Sequence, residues 1–260
     1  MTTFKKALNM ESGGVISLVG AGGKTSLMFR IAAELAADGK KVVTTTTTKI
    51  LFPTRQESRH VLLDPCPQSL LAGAAEAVEK HRHLTLARRR LTEHPEKLEG
   101  LAPELVDHLW AAGCFDWIVV EADGAAGRPL KAPATHEPLI CDSTVILVGI
   151  IGIRAAGKPL TDHWVFRPER FSRLVGLNMG DCINEAAMAE VILNSRGIFK
   201  GSPDDADKMV FLNLAGDPAL LKNARILLRQ LVQDGRSSRL KRVVLGNALD
   251  TPGVLEYHDV

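Results

Sequence analysis

The chain has 260 residues, enough to bury a full core in one or two domains. With 45% hydrophobic residues, 24% charged residues and a formal net charge of +2, it has a soluble globular composition and no strong electrostatic pull toward nucleic acid or an anionic membrane. No apolar stretch reaches transmembrane length, the N-terminal MTTFKKA lacks a signal-peptide core, and the four cysteines show no metal-type spacing, so a cytoplasmic protein with reduced thiols is expected.

The first element is a β-type run over 15–19 that breaks into Gly20, Ala21, Gly22, Gly23, Lys24, Thr25 and Ser26 before a helix pattern over 25–38. Glycines let successive backbone N–H groups turn inward around a phosphate, and the helix adds its positive N-terminal end. Lys24 is placed to reach the terminal phosphates and Thr25 to offer its hydroxyl to Mg2+, so the expected cofactors are Mg2+ and ATP or GTP. The spacing departs from the usual G-x-x-x-x-G-K-[ST], because the first glycine would fall on Leu18 and Gly20 comes two residues later. A loop shortened in this way resembles that of the Mur-type peptide ligases, which also bind nucleoside triphosphates. Gly39 stands where a left-handed C-cap glycine is expected.

A second strand over 41–46 runs into five consecutive threonines, 44–48. In an open parallel sheet its carboxyl end lies beside the phosphate loop, which makes Thr46 a candidate magnesium ligand, with Thr47 and Thr48 beside it. The same run equally suits plain β propensity. A strand over 61–63 and a helix over 68–80 follow. The segment 82–100 is the least regular of the chain, and Arg88, Arg89 and Arg90, without interleaved aromatics, read as a solvated surface.

After a helix over 103–112, an apolar strand over 117–121 emerges into Glu121 and Asp123. Acids at the end of an apolar strand beside a phosphate loop suit magnesium, one holding the metal or its water and the other orienting an attacking water. The glycine-rich turn that follows carries Arg128, Lys131 and His136, which can neutralise substrate or transition-state charge. Further elements are a strand over 145–150, a loop-rich stretch over 152–180, a helix over 185–194 with Asn184 as N-cap, a strand over 209–212, a helix over 218–233 and a strand over 242–245.

The late strand ends in Asn213, with Asp217 four residues on, and the last ends at Asn247. GTP-binding proteins read guanine with Asn-Lys-x-Asp at such a place. Here Leu214 replaces the lysine and the aspartate is displaced by one, so ATP and GTP both stay open. Asp217 before Pro218 also suits a helix N-cap.

The strings VGAGGKTS, VTTTTTKI, IVVEADGAAGRPLKAPATHEP and FRPE together resemble the YqeC family. The resemblance runs from about residue 14 to residue 249. It implies a cytoplasmic P-loop nucleotide-binding protein that helps mature a selenium-dependent molybdenum hydroxylase, with that hydroxylase or its cofactor-maturation proteins as partners.

The expected fold is α/β and P-loop NTPase-like, a mostly parallel sheet flanked by helices, in one domain over 1–260 with a loop-rich substrate or partner region around 124–182. Two other functions fit the same residues. One is an ATP-dependent ligase or kinase acting on a cofactor precursor. The other is a non-catalytic nucleotide-sensing partner. The oligomeric state is left open.

Overall fold

Near-continuous Val, Ile and Leu runs need cover on both faces, and a doubly flanked parallel sheet provides it. A computed structural model describes residues 2–215 and 217–260. Among the described residues, nine strands form the main sheet. They are β1 Gly14–Ala21, β2 Val42–Thr46, β3 Val61–Leu63, β4 His83–Ala87, β5 Trp117–Glu121, β6 Thr144–Gly152, β7 Asp207–Asn213, β8 Leu240–Gly246 and β9 Val254–Asp259. Their order across the sheet is β9-β8-β7-β6-β1-β5-β2-β4-β3. Every neighbouring pair is parallel except β8 with β9.

The helices are α1 Phe4–Ala7, α2 Lys24–Ala37, α3 Pro67–Lys80, α4 Pro103–Ala111, α5 Pro168–Val175, α6 Glu185–Leu193 and α7 Leu221–Gln233. Strand alternation sorts the apolar side chains onto two faces. Ile16 and Leu18 of β1 meet Leu27, Ile31 and Leu35 of α2, whereas Val15 joins Val43, Ile118 and Val120 beneath α3 and α4. The same alternation in β7 sends Met209 and Phe211 toward α1 and α2, and Val210 and Leu212 toward α6 and α7. Leu27, Ile31 and Leu35 are fully buried, so truncating any of them to Ala should cost about 2–5 kcal/mol.

The chain leaves β1 through α2 and returns at β2 with β5 between them, so the carboxyl ends of β1 and β5 are neighbours. Leu18 is in register with Glu121, and on the other side Ala21 is in register with Ile151 of β6. This is the kind of crevice where open α/β sheets bind ligands.

Several sequence expectations need correction. The segment 82–100 is ordered: it holds β4, while Arg89–Arg90 and Lys97–Glu99 join Lys49–Leu51 in a small antiparallel sheet. Strand β9 lies beyond the expected elements, and α5 occupies part of the loop-rich stretch. Helix α7 begins at Leu221 after a 3-10 turn over Pro218–Leu220. Asn184 does cap α6, its Oδ1 accepting from the Ala187 amide at 2.9 Å, and Gly39 takes a φ of 78° after α2. The four cysteines are free thiols, and among the described residues no helix is long and apolar enough to cross a membrane.

Candidate nucleotide-binding site

The turn from β1 into α2 is built from backbone that side chains would block. Gly22 sits at φ 90° and Gly23 at φ 132°, in left-handed territory. A Cβ on Gly22 would lie 2.6 Å from the Gly152 Cα, and one on Gly23 2.2 Å from the Asn213 Nδ2. Gly23 is the N-cap of α2, makes no side-chain cap bond, and no acidic residue occupies the first turn. The amides of that turn therefore face outward without an internal acceptor, which is the condition for binding an anion. Ala21 closes β1, and Ser26 is half-buried in the first helical turn.

Lys24 is buried beneath this loop. Its Nζ donates to the Gly20 carbonyl at 2.7 Å, and lies 3.2 Å from Asp123 Oδ1 and 3.8 Å from Glu121 Oε1. Thr25 Oγ1 donates to Glu121 Oε2 at 2.7 Å, and the Gly20 amide donates to Asp123 Oδ2 at 3.2 Å. Strand β5 ends at Glu121, and Asp123, two residues past it, reaches the loop from the following segment. Burial pushes the Glu121 carboxyl up, and nearby Asp123 adds to this against the pull of Lys24 and the Thr25 hydroxyl.

The network continues away from the loop. Lys131 Nζ meets Asp123 Oδ2 at 2.9 Å, Glu137 Oε2 at 2.8 Å and the Gly124 carbonyl at 2.6 Å. All three of its donors are spent and it is 1% exposed, so Lys131 is a structural cation rather than the substrate-facing one expected. Glu137 in turn accepts both Nη1 and Nη2 of Arg167, at 2.6 and 3.0 Å. Burial alone would raise Glu137, but Arg167 and Lys131 outweigh it and hold the carboxyl at about 2.

The residues present fit a magnesium–nucleotide complex. The donors are hard oxygens, the Thr25 hydroxyl and two carboxylates, as magnesium prefers. Asp123 Oδ1 is buried with no hydrogen bond, its charge met by the Lys24 ammonium 3.2 Å away. Among the described residues no three His, Cys, Asp or Glu side chains could hold a metal by themselves, so here the ion would draw on phosphate oxygens and water.

Other expected site residues fall elsewhere. Thr46 Oγ1 donates to the Glu121 carbonyl at 2.7 Å and bonds Thr48 Oγ1, so it braces the end of β5 instead of facing a metal. His136 is exposed, and the buried acid beside it, Glu137, enters the network instead. Asn213 Nδ2 donates to the Gly22 carbonyl at 2.7 Å, tying β7 to the phosphate loop. Asp217 Oδ1 caps the following turn through the Ala219 amide at 2.9 Å. The Asn247 amide donates to the Gly253 carbonyl, and its Oδ1 accepts from the Leu249 amide. Arg128 lies at the surface of the 124–131 turn, hydrogen-bonded to the Asp162 carbonyl. Glu137 and Arg167 were not singled out from the sequence, although HEP and FRPE contain them.

A central β-strand, a glycine turn and an uncapped helix start, with Lys, Thr and two acids converging there, define a P-loop-type α/β protein. The chain belongs to the YqeC family: residues 16–169 match the YqeC protein profile. It is 30% identical over 242 residues to YqeC of Escherichia coli (strain K12), covering 92% of this chain and 90% of that one. Among solved structures it is similar to the signal recognition particle 54 kDa protein of Aeropyrum pernix K1 in complex with GDP, at 14% identity and a TM-score of 0.40, covering 95% of this chain and 44% of that one. FtsY of Mycoplasma mycoides is similar at 10% identity and a TM-score of 0.40, covering 96% and 64%. FlhF complexed with GMPPNP and Mg2+ matches at 13% identity and a TM-score of 0.38, covering 100% and 75%. The chain thus spans less than two thirds of the length of the first two of these structures.

Proposed function

We propose that this protein binds a magnesium–nucleoside triphosphate at the 20–25 loop, hydrolyses it, and acts as an accessory factor in maturing a selenium-dependent molybdenum hydroxylase. One observation carries the nucleotide reading: Lys24 Nζ, Thr25 Oγ1, Glu121 and Asp123 converge within 2.7 to 3.8 Å beneath an uncapped helix start. The partner assignment rests on the sequence resemblance in the 118–138 and 166–169 strings.

In this reading the loop amides and Lys24 hold the phosphates, and Lys24 balances charge on the terminal one. Bound magnesium supplies neutralisation of phosphate charge and fixes the orientation of the oxygens. Thr25 and Glu121 would hold that ion, while Asp123, fixed by the Gly20 amide and Lys131, would orient a water at the terminal phosphorus. Attack of that water breaks the bond to the bridging oxygen, and the water's proton passes to the acid that orients it. The shortened loop also supports a ligase or kinase acting on a cofactor precursor, in which a second small molecule takes the place of water.

The test is calorimetric titration with ATP, GTP and their diphosphates, each with magnesium, on wild type and Lys24→Ala, followed by phosphate-release assays. Wild type should bind a triphosphate and Lys24→Ala should lose about a hundredfold or more in affinity. Binding of none of the four by wild type sinks the nucleotide reading. Turnover only with an added acceptor molecule selects the ligase or kinase reading. For the partner, cells lacking this protein should make the hydroxylase at normal abundance and with reduced activity; normal activity removes that assignment.

A further inference from the structure

The charges beneath the phosphate loop cancel. Lys24, Lys131 and Arg167 face Glu121, Asp123 and Glu137, three cations against three carboxylates in one connected set of ion pairs. Lys24 lies in the loop, Glu121 ends β5, Asp123, Lys131 and Glu137 lie in the segment that follows β5, and Arg167 comes after β6. A triphosphate stays anionic even with a divalent cation bound, so an internally neutral network leaves much of its charge unmet.

The backbone packed against Gly22 carries cations of a different kind. Gly22 packs against the end of β6: its Cβ position would be 2.6 Å from the Gly152 Cα and 2.8 Å from the Pro129 carbonyl oxygen. The Gly152 amide donates to that same Pro129 carbonyl at 3.0 Å, so three backbone segments meet beside the loop. Arg128 immediately precedes Pro129, and Arg154 follows Gly152 by two residues in a short 3-10 turn. Among the described residues, both guanidinium groups hydrogen-bond only to backbone carbonyls. Arg128 reaches those of Asp162 and Ala126, and Arg154 reaches that of Gly127 at 3.1 Å. Neither meets a carboxylate, and Arg154 is exposed. The turn that carries Arg128 includes Ala126 at φ 48° and Gly127 at φ 71°.

We infer that Arg128 and Arg154 form a two-arginine clamp on the terminal phosphate of the bound triphosphate, a site that rests on the nucleotide reading above. Guanidinium groups pair with phosphate through parallel N–H donors, and the backbone carbonyls they now contact are weak partners that a phosphate would displace. The phosphate tail is then met by the magnesium-facing carboxylates and by two arginines carried on the turns that adjoin Gly22. Sensing of the terminal phosphate then falls to the 124–131 turn and the 153–155 turn.

The test compares a non-hydrolysable triphosphate with the diphosphate of whichever base wild type prefers, with magnesium, on Arg154→Ala, Arg128→Ala, Arg154→Lys and Lys24→Ala. Each arginine-to-alanine variant should weaken the triphosphate about ten- to hundredfold. The diphosphate should weaken by less than about threefold, and Arg154→Lys should recover part of the loss. Lys24→Ala should weaken both nucleotides. Unchanged triphosphate affinity in both alanine variants, or equal losses for the two nucleotides, overturns the clamp while the nucleotide reading stands. Wild type binding neither nucleotide overturns both. Thermal melts accompany each titration; because both side chains lie at the surface, melting temperatures should match wild type, and an Arg→Gln pair replaces any variant that melts early.

Discussion

Beneath the phosphate loop each cation is paired with carboxylates, whereas the arginines carried on the turns beside Gly22 and Gly152 hold only backbone carbonyls. Arg128 and Lys131 show the contrast within a few residues of one turn. Lys131 is consumed by two carboxylates and a carbonyl and is 1% exposed, so its charge stabilises the fold. Arg128 has donors to spare, so its charge remains available to a ligand. Residue type alone does not separate a structural cation from a binding one; burial and the count of satisfied donors do.

The largest effect that tests this contrast is Lys131→Ala. It strands Asp123 and Glu137 as buried carboxylates without their shared cation, and should lower the free energy of unfolding by about 3–5 kcal/mol in urea titrations. A change below about 1 kcal/mol would mean the buried network is not the structural unit described here.

Acid comes next. The folded-state value of Glu137, about 2, lies below its ordinary 4.5, so its contribution is present above 4.5 and is lost as the pH falls through about 2. That contribution is roughly 2–3 kcal/mol, and Arg167→Ala should flatten this part of the pH dependence of stability. An acid limb of the same depth in the variant would detach Glu137 from Arg167.

A smaller effect is expected at Glu121, whose sign is opposite. Its folded-state value is raised by burial, so the ionised carboxylate costs stability as the pH rises through that value. Glu121→Gln should therefore melt no earlier than wild type at neutral pH. It should also lower triphosphate affinity about tenfold, in magnesium only. Equal loss with and without magnesium would place Glu121 outside the metal side of the site. The smallest expected change is the stability of Arg128→Ala, within about 0.5 kcal/mol of wild type, because the side chain lies at the surface and pairs with no carboxylate.

Much of the fold is legible in the chain because buried parallel strands announce themselves. VISLV, WIVVE and VILVGI are apolar runs with no competing interpretation, and each lies within a strand beside the loop. Strand β4 escapes notice because HLTLA alternates polar and apolar residues among charged neighbours, and its Thr85 is buried only through the hydroxyl of Thr44 at 2.8 Å. Strand β9, an antiparallel edge, needs no apolar second face and gives a weaker pattern. At the site, Lys24, Thr25, Glu121 and Asp123 are readable because a phosphate loop and an acidic strand end have characteristic local chemistry. Glu137 over His136, and Arg154 beyond the loop, are not, since only folding sets their distance from residue 22.

The sequence by itself determined the phosphate loop, the helix that follows it and the acidic end of β5, because glycine conformations, apolar runs and side-chain chemistry act over a few neighbouring residues. Tertiary structure alone decided which charges cancel and which remain. It brought Lys131, Glu137 and Arg167 into one buried set of ion pairs with the loop acids, and left Arg128 and Arg154 without carboxylates beside Gly22 and Gly152. The physical reason is that a charge takes its role from the dielectric and the partners around it, and strand order rather than local sequence supplies both.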